Sequence, residues 1–235
     1  MQFLKEVWSI YWGHKKLIAL VALFILTPLA VLNFFISFSF QYYFTFLFLP
    51  IGGDFMQSLF GLIFLSVMEI PFICLVLSVI RNEEVVFGRV VKGFFDHVVP
   101  IYFIGCLYGL MVSMGLVFLI IPGLLLLIFL ALFPQALIME DEKWFGGLRR
   151  SFIVVKDHFF PVMGILLLLF GVEMLLKTVL MGGALFLAQT YLPALLINLA
   201  LHLTAFPLFT IWLSLLYVEW AGVEGDMGYN SEHIA

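Results

Sequence analysis

The sequence predicts an all-α polytopic membrane bundle of six transmembrane helices, joined by three amphipathic helices that lie at the interface and arranged as a pseudo-threefold repeat. Three observations predict it. Hydrophobic residues fill 64% of the 235 positions and charged residues only 11%, where a soluble domain is about half apolar and about a quarter charged. The apolar residues gather into six runs, and a helix needs about 20 such residues to cross the hydrocarbon layer. The lysines and arginines sit almost entirely in alternate connections between those runs, as expected of chains that keep cations on one side during insertion.

The runs are Leu17 to Phe40, Ser58 to Ile80, Ile101 to Ile121, Gly123 to Ile138, Pro161 to Gly183 and Ala194 to Val218. The fourth is short and spans if Pro122 and Gly123 form the tight turn of a helical hairpin. Between the first two, Phe38, Phe40, Tyr42, Phe44, Phe46 and Phe48 occupy alternate positions, the period of a strand. Since exposed backbone is not tolerated in hydrocarbon, the favoured reading is a helix end dressed with interfacial aromatics, ahead of a short extended segment. Gly105, Gly109 and Ser113 recur at every fourth position, a small-residue stripe that permits close helix packing, with the hairpin partner as one candidate neighbour. The sixteen residues before the first run, with Lys5, Lys15 and Lys16, do not form a cleavable signal.

Each hairpin follows an amphipathic stretch. Leu4, Val7, Trp8 and Tyr11 share a face opposite Gln2, Lys5, Glu6, Ser9 and Gly13; Val86, Val90, Val91 and Phe94 oppose Arg89, Lys92 and Asp96; Phe145, Leu148, Phe152 and Val155 oppose Arg149, Arg150, Lys156 and Asp157. Such helices lie in the headgroup layer with the apolar side down. Each stretch ends in a histidine, His14, His97 or His158, and the outgoing helices carry Pro71, Pro134 and Pro207 upstream of Glu83, Glu140 and Glu219. Residues 1–220 therefore read as a single membrane domain of three diverged repeats, roughly 1–80, 81–140 and 141–220, followed by an acidic tail, 221–235.

Ten of the eleven cations lie in the N-terminal segment or in the connections after the second and fourth runs; Lys177 is the exception. Six crossings with both termini in the cytosol follow. A net charge of −4 and the lack of a basic face argue against a nucleic-acid partner.

The run Ile121-Pro-Gly123, Phe133-Pro134, Met139-Glu140-Asp141, Gly147-Leu-Arg-Arg-Ser151 and Val155-Lys-Asp-His158-Phe-Phe resembles a bacterial membrane-domain family. It is the domain fused to the N-terminus of some glycerophosphodiester phosphodiesterases and also found as stand-alone inner-membrane proteins. The likeness is strongest over Gly105 to Leu169. It implies a fold, a bacterial cytoplasmic (inner) membrane and a lipid setting. With the sequence ending at Ala235, no phosphodiesterase activity is expected.

The polar residues inside the runs are the candidate sites. A lone charge at mid-membrane costs about 2.5–3.5 kcal/mol, so Glu69 is expected to be protonated or paired. It serves either a proton- or cation-linked site or, as a neutral carboxyl, the backbone freed by Pro71. Glu173 and Lys177, one turn apart, form a structural pair or hold an anionic headgroup. Asn198 and His202 share a helix face and could bond Glu69 or Glu173. Arg149 and Arg150 are candidates for a lipid headgroup, and His14, His97 and His158 would form a three-histidine metal site only if the repeats converge on one axis. Cys74 and Cys106 fall inside runs, where small buried hydrophobes are expected rather than a disulfide. No HExxH, no Walker-type loop and no GxSxG elbow is present, Met111 standing at the first glycine position before Ser113. The expectation is a non-enzymatic membrane scaffold or partner in envelope or lipid homeostasis, with no cofactor; its partners are the bilayer, anionic lipid headgroups and a membrane protein. The alternative is a transporter or flippase for an anionic amphiphile.

Overall fold

The computed structural model describes the backbone over residues 2–188 and 191–222, and side chains over 5–49, 51–172, 174–175, 178–179 and 203–222. All but the first two residues of the tail expected at 221–235 lie outside the described residues. Every regular element among them is helical. Among the described residues, five helices are long and apolar enough to cross a membrane, or six if a bent pair near residue 158 counts as one crossing.

Helix α1 (Gln2–Gly13) stops at His14, and the chain resumes as α2 (Lys15–Val21), a π turn (Ala22–Leu26) and α3 (Thr27–Phe46), together the first span. Pro28 supplies no N–H and its ring crowds the preceding turn; the wide π turn accommodates it, and the Thr27 hydroxyl donates to the Ala22 carbonyl at 2.9 Å. The alternating aromatics are therefore the helix end that the depth argument favours. A short loop with Phe48 at φ 58° leads into α4 (Pro50–Ile80), with Phe40 stacked on Phe60 at 5.2 Å across the hairpin.

Helix α4 is the hub. Of its most apolar window 83% is buried, against 22% for the first span, and it packs on α3, α5, α7 and α10. Helix α5 (Phe87–Phe118) runs antiparallel to it. The small-residue stripe serves this pair and not the hairpin partner: Gly105 and Gly109 face Ile63 and Leu59, with a β-carbon on Gly109 only 3.1 Å from the Leu59 carbonyl oxygen, and Ser113 donates to Ser58 at 3.2 Å. Both cysteines are free, Cys74 buried.

The next hairpin turns at Leu119, in extended conformation (φ −149°, ψ 101°), so Pro122 and Gly123 sit inside α6 (Ile120–Phe129) and not at the turn. Gly123 instead permits a close approach, since a β-carbon there would lie 2.7 Å from the Gly115 carbonyl carbon. After a break at Leu130–Leu132, α7 (Phe133–Met139) completes the fourth span. Helix α8 (Phe145–Asp157) bends by 98° into α9 (Phe159–Ala188), and α10 (Tyr191–Ala221) closes the bundle.

The three amphipathic stretches differ from one another. The first and third are separate helices, α1 and α8. The second is fused into α5, which continues through His97 and Pro100, because no residue there adopts the non-helical conformation of His14 or His158. Their faces are also turned. In α1, Val7 and Ile10 are buried while Trp8 is 55% exposed. In α8, Leu148, Ser151, Val154 and Val155 are buried while Phe145 and Phe152 face outward. Packing against neighbouring helices, rather than against lipid, selects the inner face.

Glycine at 123 is thus a packing requirement. Gly123→Val should lower stability by about 1–3 kcal/mol through overpacking, whereas Gly164→Ala, where a β-carbon meets nothing within 4 Å, should leave it unchanged or raise it by up to about 1 kcal/mol. Thermal melts of the two variants in one detergent read the contrast; equal melts would refute it.

Candidate functional site

The centre of the polar structure is a pair between α4 and α7. Glu69 sits on the hub helix, 8% exposed, and accepts a hydrogen bond at 3.2 Å from the Gln135 amide nitrogen, whose residue is fully buried. Gln135 follows Pro134 in the first turn of α7, so the helix start aims the amide across to α4. Beside them, the Tyr108 ring packs on Phe133 at 5.3 Å and its hydroxyl donates to the Leu127 carbonyl at 3.3 Å. The Gln135 amide oxygen has no partner among the described residues. Burying a carboxyl and an amide without a partner each would cost several kcal/mol; joined, they become a cross-link. Glu69 was singled out as needing a partner, and Gln135 was not, although it is the one polar side chain in Ile120–Met139 and that isolation is itself a signal.

A second cluster closes the other, C-terminal end of α7. The Glu140 carboxylate receives Arg150 Nε at 2.8 and 2.9 Å and the Tyr217 hydroxyl. Arg150 Nη2 also donates to the Ala221 carbonyl at 3.0 Å. One ion pair therefore ties α7, α8 and α10 together, and the hydrogen bond that Arg150 donates to Glu140 raises the Arg150 pKa above its ordinary value. His158 stacks on Trp220 at 5.1 Å, adding an aromatic contact between the α8–α9 bend and α10. The corresponding acid of the first repeat, Glu83, pairs with Arg89 at 3.2 Å, but both side chains are 44% exposed. Arg150 is thus engaged within the protein, while Arg149 is exposed.

Ser151 does a third job. Fully buried on α8, its hydroxyl donates to the Phe129 carbonyl at 2.9 Å and accepts from the Leu132 N–H at 3.2 Å. Those are the backbone groups orphaned where α6 breaks from α7, and irregular backbone at such depth persists only when it is satisfied by protein.

The three repeat histidines do not converge. Each places Nδ1 against the carbonyl four residues earlier: His14 on Ile10 at 3.1 Å, His97 on Gly93 at 2.9 Å and His158 on Val154 at 3.2 Å. A carbonyl only accepts, so Nδ1 carries the proton in all three. No group of three metal-binding side chains occurs among the described residues. The ends of the outgoing helices repeat as well: Asn82, Asp141 and Gly222, each just past α4, α7 or α10, have φ of 52°, 52° and 67°. Residues of these types tolerate the left-handed region that helix C-termini use. The side chains of Glu173, Lys177, Asn198 and His202 lie outside the described residues.

The fold and these pairs define an all-helical polytopic membrane protein in which Glu69, Gln135, Ser113 and Ser151, among the described buried polar groups, connect helix to helix. More particularly, the chain belongs to the family described as a domain of unknown function, DUF7847, which matches residues 51–219, from α4 to the end of α10. No curated protein and no solved structure matches it.

Equivalent acids in different surroundings should differ in weight. Glu83→Ala should change stability by about 0–1 kcal/mol, as exposed ion pairs do; Glu140→Ala should cost about 1.5–3 kcal/mol, because Arg150 and Tyr217 both lose a charged partner. Ser151→Ala should cost about 1–3 kcal/mol by leaving the Leu132 N–H unsatisfied. Denaturant titrations in mixed micelles rank the three, and the order Glu83 above Glu140 would contradict the account.

Proposed function

We propose that the protein is a non-enzymatic integral membrane protein of the bacterial cytoplasmic membrane, both termini cytosolic, acting as a scaffold or partner in envelope and lipid homeostasis. The observation that carries this reading is where the described polar side chains are spent: Glu69 on Gln135, Glu140 on Arg150 and Tyr217, Ser151 on the α6–α7 break, and Ser58 on Ser113. Each bond joins two helices. A transport site needs groups that can change partners as the substrate moves, whereas these are cross-links whose loss leaves a buried polar group unsatisfied. The resemblance of Gly105 to Leu169 to the membrane domain of glycerophosphodiester phosphodiesterases supports the lipid setting and the inner membrane. The clustering of ten of eleven cations supports cytosolic termini.

A second reading, a transporter or flippase for an anionic amphiphile using Glu69, Glu173, Lys177 and His202, is favoured by the unpartnered Gln135 oxygen next to the Glu69 carboxyl. The two readings diverge on isosteric substitution. Glu69→Gln and Lys177→Met, each complementing a deletion strain, should restore wild-type envelope integrity; loss of complementation by either variant at unchanged melting temperature would establish transport and reject the scaffold. Single cysteines placed at Arg149 and at Gly52 in a cysteine-free background should be labelled from opposite sides of the membrane. Labelling from the same side would reverse the topology.

A further inference from the structure

Between the first span and the start of α5 runs a groove of about 400 Å³ lined by apolar side chains, among them Phe24, Pro28 and Leu29 on one side and Phe87, Val91 and Phe95 on the other. Its size falls within the range of small-molecule pockets, roughly 300–1,000 Å³. Phe24 and Phe87 meet edge to face at 6.3 Å where the groove begins. The groove exists because the first span is not a uniform helix there: Phe24 belongs to the π turn that precedes Pro28, and π turns in α-helices mark functional sites more often than chance. Both walls belong to helices long and apolar enough to cross a membrane, and Phe24 and Phe95 are 63% and 67% exposed, so the groove opens on the outer surface of the bundle. Water would find few polar partners among these side chains, and an empty groove would forfeit the dispersion contacts of its lining.

We propose that this groove holds an acyl chain of an anionic phospholipid, with Lys15 and Lys16 meeting the phosphate. Lys16 precedes Phe24 by eight residues, about 12 Å along the helix at 1.5 Å per residue, while the headgroup layer is roughly 5–8 Å deep on each face. The two lysines therefore lie on the same span, about one headgroup layer nearer its N-terminal end than the groove. Both lysines are exposed, and Lys15 Nζ lies 5.2 Å from the centre of the Trp12 ring. Trp12 in turn packs on Trp8 at 5.6 Å, with each ring about half exposed, the composition of an interfacial belt. Charge selects the lipid: α1 and α2 carry Lys5, Lys15 and Lys16 against Glu6, while over residues 81–96 Arg81, Arg89 and Lys92 balance Glu83, Glu84 and Asp96, with Glu83 paired with Arg89. A juxtamembrane lysine near an anionic surface contributes about 1 kcal/mol, so two of them correspond to a preference for an anionic headgroup of roughly thirtyfold.

This site goes beyond the scaffold reading and stands or falls without it, since a transporter of the same fold would carry it equally. The test uses the full chain in phosphatidylcholine vesicles doped with phosphatidylglycerol that carries a photoactivatable diazirine midway along one acyl chain, and in parallel with the same probe on phosphatidylcholine. The expected label is concentrated on residues 24–29 and 87–95, several-fold above the exposed Leu167, Leu168 and Phe170, and stronger for phosphatidylglycerol. Lys15→Ala with Lys16→Ala should bring the phosphatidylglycerol label down to the phosphatidylcholine level. Val91→Trp, which fills the groove, should depress both. Label spread evenly over the exposed segments of the wild-type chain, or equal labelling by the two headgroups, would overturn the proposal, and neither outcome depends on whether a variant folds.

Discussion

Hydrocarbon offers no hydrogen-bond partner, and nearly every polar feature of this chain answers to that constraint. Within the helices, hydroxyls fold back on their own backbone, as Ser66 does on Leu62, Ser78 on Cys74 and Thr210 on Phe206. Where the helix is interrupted, a side chain supplies the missing partner: Thr27 at the π turn and Ser151 at the break between α6 and α7. Where a group is too polar to satisfy itself, a second helix is brought to it. Glu69 and Gln135 fasten α4 to α7 in this way, and the Glu140 cluster fastens α7 to α8 and α10. The hub position of α4 follows, because it carries both the buried acid and the residues opposite the small-residue stripe of α5.

The threefold pattern is carried by local devices rather than by superposable units. Three histidines make the same bond to the carbonyl four residues back, and three outgoing helices end in a left-handed residue. In the first and third repeats the histidine marks a break between an amphipathic helix and a span; in the second the helix runs on. The acids just past α4 and α7 sit in different environments, the exposed Glu83–Arg89 pair and the partly buried Glu140–Arg150 pair, while Glu219 lies within α10.

Helix content, the approximate spans and the one-sided distribution of cations were legible because each depends on composition over twenty residues, which neighbours do not alter. The turn after the third run was misplaced by a few residues, since Pro-Gly signals a turn but here opens a helix and lets two backbones touch at Gly115 and Gly123. The inner faces of α1 and α8 were misread for a related reason. Periodicity separates apolar from polar positions but does not say whether lipid or protein covers the apolar side, and Trp8 and Phe152 turn outward while Ile10 and Ser151 turn in.

By itself, the order of residues determined that this chain is solvated by lipid, how many runs can cross, and which polar residues would need partners, because burial of a charge or an amide in hydrocarbon is costly whatever the arrangement. Only the tertiary structure decided who those partners are. Glu69 meets Gln135, 66 positions away, Arg150 is drawn from the headgroup layer to Glu140, and Ser151 reaches the broken fourth span. Such choices depend on the register and crossing of helices distant in sequence, which hydropathy and spacing along one chain do not encode.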